Sequence, residues 1–80
     1  MEKNLDQLKK IISEKFGVAG ELIVKEAELT ADLNLDHLEI SDLISIIVSK
    51  FQLNITEDDL KSIKTVQDLL ILIETFSEEL

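Results

Sequence analysis

Eighty residues with no cysteine and no proline, and 17 acidic against 8 basic side chains for a net charge of −9, exclude several classes of protein at once. A disulfide scaffold, a thiol catalyst and a thiolate metal site are ruled out, and nucleic acid is a poor partner because phosphate binding draws on clustered Lys and Arg. Anionic membrane surfaces are disfavoured for the same reason. The natural complement is a protein with a basic patch, where electrostatics helps encounter more than affinity.

A chain this short buries only somewhat more than ~60% of its extended surface on folding. Its 45% hydrophobic and 4% aromatic content points to a core of Leu, Ile and Val. Two glycines and no proline favour helices over turn-dense β structure. One domain over residues 1–80 is expected. The start, M-E-K-N-L-D-Q-L-K-K, lacks the apolar stretch of a signal peptide. The longest apolar run, Leu69 to Ile73, falls far below the ~20 residues that span a bilayer. A soluble, cytoplasmic monomer without membrane insertion is the expectation.

Leu5, Leu8, Ile11, Ile12 and Phe16 recur at helical spacing and define a first helix. Asn4 with Gln7 three positions on reads as its capping box, and Gly17 as its stop. Residues 18 to 36 are long for a connector yet too apolar for disorder. Val18, Leu22, Ile23, Val24, Leu29, Leu33 and Leu35 can all reach a core, so an ordered loop packed across helix ends is expected. Glu21 to Val24 has the look of a short strand, but no second strand is evident to pair with it.

Asp36 is a good N-cap for a second helix that stays amphipathic to Phe51, and Glu39 suits both a capping box and the helix dipole. Ile40, Leu43, Ile44, Ile47, Val48 and Phe51 share one broad face; Leu38, Asp42, Ser45 and Ser49 lie opposite, with Glu39 and Ile46 flanking them. Leu53 and Ile55 make an apolar connector. Thr56-Glu57-Asp58-Asp59 opens a short helix over Leu60 and Ile63, and Thr65-Val66-Gln67-Asp68 caps a last one through Leu69, Leu70, Leu72, Ile73 and Phe76. The sum is an all-α, irregular four-helix bundle with a long loop between helices one and two and a short third helix.

His37, at the start of helix two, is expected to be a solvated or locally hydrogen-bonded side chain. With Asp36 or Glu39 it would make only a thin ligand set, and no cysteine or suitably spaced serine completes a catalytic group. No metal centre, catalytic residue or enzymatic activity is therefore expected. Ser41, one turn on, is expected to bond the carbonyl four residues earlier.

Asp32-Leu33-Asn34-Leu35-Asp36-His37-Leu38 resembles the D-L-G-x-D-S-L motif of the acyl carrier protein family. F-Q-L-N-I-T-E-D-D-L-K-S-I-K-T-V-Q-D resembles the family's F-x-I-x-I-P-D-E-x-x-x-x-I-x-T-V-x-D, and the similarity runs through nearly the whole chain. It implies an acyl-carrier-protein-like bundle that presents acyl chains of fatty-acid or related biosynthesis to synthases and transferases. In that family 4′-phosphopantetheine is carried on the serine of the motif. His37 stands at that position, so no cofactor is expected here. Asn34 stands for the family's glycine, which suits a left-handed conformation, and Leu35 replaces a small residue where it would crowd an approaching transferase. The apolar and acidic residues on the exposed face of helix two make docking the expected role, through Asp36, Leu38, Glu39, Asp42 and Ile46, to proteins with basic or mixed basic and apolar patches; the alternative is a genuine acyl carrier with unusual or non-covalent cargo attachment.

Overall fold

Leu8 and Ile12 are fully buried one turn apart, and Ile11 joins them, on a first helix α1 that spans Glu2–Phe16. Leu5 and Phe16 extend the same apolar stripe at its half-buried ends. The computed structural model describes residues 2–76, and among these four α-helices are found: α1, α2 (His37–Phe51), α3 (Glu57–Leu60) and α4 (Val66–Phe76). Asn4 does not cap α1 but lies inside it. Glu and Lys are good helix formers, and nothing in Glu2-Lys3 stops the helix from starting earlier. Gly17 ends it as the spacing implies: its φ is +69° and its N–H donates to the Ser13 carbonyl at 3.1 Å.

The connector is ordered by its own backbone. A single 3₁₀ turn, Gly20–Leu22, replaces the strand-like look of this stretch. Ile23, Ala27, Leu29, Leu33 and Leu35 are buried, whereas Leu22 and Val24 are about half exposed and do not enter the core. The two Cβ directions that flank Ile23 cannot point inward with it, so burying Ile23 turns both neighbours out. Glu28 pairs with Thr65 in an isolated antiparallel bridge. Around it Leu29 N–H donates to Lys64 O (2.9 Å), Val66 N–H to Ala27 O (3.0 Å) and Gln67 N–H to Lys25 O (3.0 Å). The loop is thereby clipped to the start of α4.

On α2, Leu43, Ile47 and Phe51 are buried, and Ile40, Ile44 and Val48 pack against the core at its margin. The helix ends at Gln52, left-handed at φ 56°, whose N–H donates to Val48 O. α3 is capped by Thr56 and Asp59 and stops at Leu60, so Ile63 lies beyond it, half-buried in the following turn. α4 contributes Val66, Leu69, Leu70, Leu72 and Ile73 to the core. Buried residues of α1, the loop, α2 and α4 form one apolar cluster, with no polar or charged side chain buried among the described residues.

Candidate functional site

The chain enters α2 through a short relay of backbone turns. Asp32 N–H and Leu33 N–H both donate to Glu28 O, at 3.0 and 3.1 Å, and the Asp32 carboxylate accepts Glu28 N–H at 2.7 Å. Asn34 adopts φ 60°, a conformation that its short polar side chain tolerates better than most. Leu35 then donates its N–H to Leu29 O at 3.0 Å and is only 4% exposed. Leu35 therefore does not crowd the site, contrary to its reading as an obstacle. Across this turn Leu33 and Leu35 are buried, while Asn34 and Asp36 are exposed.

Asp36 sits with extended φ, ψ of −91° and 179° as the N-cap. Its Oδ1 accepts Glu39 N–H at 2.8 Å, and Glu39 Oε1 accepts Asp36 N–H at 3.0 Å. Two carboxylates thus lie at the positive end of α2, where the dipole favours them. His37 is the first helical residue, exposed, and among the described residues its imidazole makes no hydrogen bond. Leu38 follows at 77% exposure, the most exposed large apolar side chain described. No group of three or more His, Cys, Asp or Glu arranged to hold a metal is found among the described residues.

Asp42 is exposed one turn beyond Leu38, so Asp36, His37, Leu38, Glu39 and Asp42 share the first turns of one helix. Ile46 does not sit squarely with them. It lies about 80° round the helix from Leu38, half-buried against the core in a cleft that α2 makes with α1. Ser41 is exposed and among the described residues its hydroxyl makes no hydrogen bond, so the expected bond to the carbonyl four residues back is not formed.

Two surfaces escaped the sequence reading. Leu22 and Val24, with Glu21, Glu26 and Asp32, line an open depression of about 320 Å³. Lys10, Lys15 and Lys50 rim the cleft around Ile46. The only sequence signal for the second is that α1 and α2 each carry a lysine in their last turn. No helix among the described residues is long and apolar enough to cross a membrane.

The family described as "Phosphopantetheine attachment site" matches residues 6–73. The chain is 38% identical over 73 residues to the acyl carrier protein of Thermotoga maritima, covering 91% of this chain and 90% of the relative. To that of Coprothermobacter proteolyticus it is 36% identical over 74 residues, covering 92% and 90%. The acyl carrier protein of Chlamydia trachomatis matches at 35% over 69 residues, covering 86% and 90%. In structure the chain is similar to the 2.00 Å crystal structure of an acyl carrier protein from Thermotoga maritima. The TM-score is 0.82 at 27% identity, covering 98% of this chain and 91% of that one.

Proposed function

Because the chain belongs to the acyl carrier protein family, whose members are carriers and not enzymes, we propose that it acts as a docking protein in fatty-acid or related acyl-chain biosynthesis. In this reading the family's 4′-phosphopantetheine arm is not attached at position 37. One observation carries it: the first residue of α2 is an exposed imidazole, beside a leucine that is 77% exposed and two carboxylates.

A 4′-phosphopantetheine arm is joined by a phosphodiester, formed when a hydroxyl oxygen attacks the phosphate of coenzyme A. His37 offers ring nitrogens and no hydroxyl, and a phosphoramidate is a different, more labile linkage. The residue at the helix start therefore does not fit the group. What remains is a surface with an apolar knob, Leu38, among Asp36, Glu39 and Asp42, bordered by half-buried Ile46. Such a surface suits acyl-chain synthases or transferases that offer basic or mixed basic and apolar patches. The action is assigned to one domain over residues 1–80, in the cytoplasm.

Charge reversal tests the surface. Glu39→Lys with Asp42→Lys should lower affinity for such a partner at least tenfold; unchanged affinity would sink the assignment. The exposed Ser41 hydroxyl favours a second reading, a true carrier with its arm one turn along. Intact mass after incubation with coenzyme A and a broad-specificity phosphopantetheinyl transferase separates the two. An unchanged mass is expected, and a gain that disappears in Ser41→Ala would establish the alternative.

A further inference from the structure

Lys10, Lys15 and Lys50 surround half-buried Ile46 in a cleft of about 370 Å³ between α1 and α2. The depression runs on, over about 510 Å³, past Ser45 and Ser49. Glu14 is the single acid in its lining. In a chain where acids outnumber bases 17 to 8, this is a local inversion of sign. Among the described residues the one ion pair joins Lys61 to Asp58 at 3.3 Å, so no described carboxylate, Glu14 included, forms an ion pair with the three ammonium groups. Helix dipoles account for a lysine in the last turns of α1 and α2. They do not account for Lys10 on the same rim.

The complement to this cleft lies on the other half of α2. Leu38, 77% exposed, stands beside Glu39 and Asp42. Glu39 and Lys50 are about three full turns apart, so both project on the same flank of the helix, about 16 Å from each other along its axis. A twofold axis perpendicular to α2 that passes beside its exposed face, level with the midpoint between them, sets two such helices antiparallel. It brings each Glu39 against Lys50 of the second copy and each Asp42 toward Lys15 of the second copy. It also lays each Leu38 over Ser49 of the second copy, where the side chain is small. An isologous contact of this kind closes on itself and needs no further subunit.

We propose that the exposed face of α2 is self-complementary, and that two copies of this chain associate through it as a weak antiparallel homodimer, in place of the monomer expected from the sequence. The overall charge opposes the approach of two copies, but at physiological salt it is screened beyond about 8 Å, whereas the facing pairs are in direct contact. The contact shares the acidic face assigned to docking above but involves no other protein, so either assignment can fail alone.

Sedimentation velocity of the full chain at physiological salt, from about 10 μM to about 1 mM, is the test. A reversible dimer should appear toward the upper concentrations. Lys15→Glu with Lys50→Glu should abolish it, and so should Asp42→Lys with Glu39→Lys. Mixing the two variants should restore a dimer, because a wholly acidic face then meets a wholly basic one. Circular dichroism verifies that each variant is folded; Asp42→Lys alone serves if the loss of Glu39 unfolds α2. A chain that stays monomeric at the highest concentration overturns the proposal. A dimer that survives Lys15→Glu with Lys50→Glu, or a mixture no more associated than its parts, does so equally.

Discussion

Asp36 and Glu39 exchange side chain for backbone: each carboxylate accepts the other residue's N–H, at 2.8 and 3.0 Å. The pair satisfies two donors that the first turn of α2 would otherwise leave without an intrahelical partner. It also fixes where the helix begins, and hence where His37 and Leu38 stand. Asp36→Ala should lower stability by about 1 kcal/mol, read from urea midpoints. Asp36→Asn, which keeps an oxygen acceptor, should cost clearly less; an equal loss would mean that charge, not the hydrogen bond, holds the start of α2.

Leu35 and Leu38 test the inward and outward directions of the same segment. Leu35, 4% exposed, should cost about 2–5 kcal/mol when replaced by alanine. Leu38, 77% exposed, should change stability by less than about 0.5 kcal/mol. Comparable losses at the two positions would contradict the orientation of the loop.

Among the described residues two other than glycine hold positive φ, Asn34 at 60° and Gln52 at 56°. Glycine lacks the Cβ that makes this region costly, so Gln52→Gly should stabilise the chain by up to about 1 kcal/mol. Asn34→Val, β-branched at a left-handed position, should destabilise it by about 1–2 kcal/mol. Thermal or urea unfolding of both variants decides the matter, and opposite signs are required.

Asp68 links stability to pH. Partial burial raises its affinity for a proton, but the N–H groups of Lys64 and Thr65, at 2.8 and 3.0 Å, the Thr65 hydroxyl and the Lys64 charge prevail, and its pKa is lowered. A carboxyl with a depressed folded pKa contributes fully above its unfolded value and loses that contribution as pH falls through the folded one. Stability should therefore decline on acidification through and below the ordinary aspartate range. Asp68→Asn should be less stable at neutral pH and should flatten this part of the curve; an unchanged slope would exclude Asp68 as a contributor.

Helix starts were legible where a side chain does the capping within three residues. Asp36 with Glu39, Thr56 with Asp59 and Thr65 with Asp68 all carry their signal locally. The stripe from Ile40 to Phe51 was legible for a similar reason, since period alone sorts it. Asn4 misled because a cap residue in a run of good helix formers does not oblige a helix to start there. Residues 18 to 36 resisted because their geometry is set by backbone bonds, within the connector and between residues 25–29 and 64–67, which side-chain pattern does not encode. Nothing local distinguishes buried Ile23 from exposed Leu22 and Val24. The lysine cleft was invisible for the same reason: Lys10, Lys15 and Lys50 meet only when α1 and α2 are side by side.

The clip between Ala27–Leu29 and Lys64–Val66 joins segments roughly 40 residues apart, a closure that comes late because its loop entropy precedes any reward. The approach to α2 is thereby tied, through Leu29, to the start of the last helix. The amides of Leu29, Val66 and Gln67 should accordingly exchange with deuterium as one cooperative unit, although one of them belongs to a connector and two to a helix start.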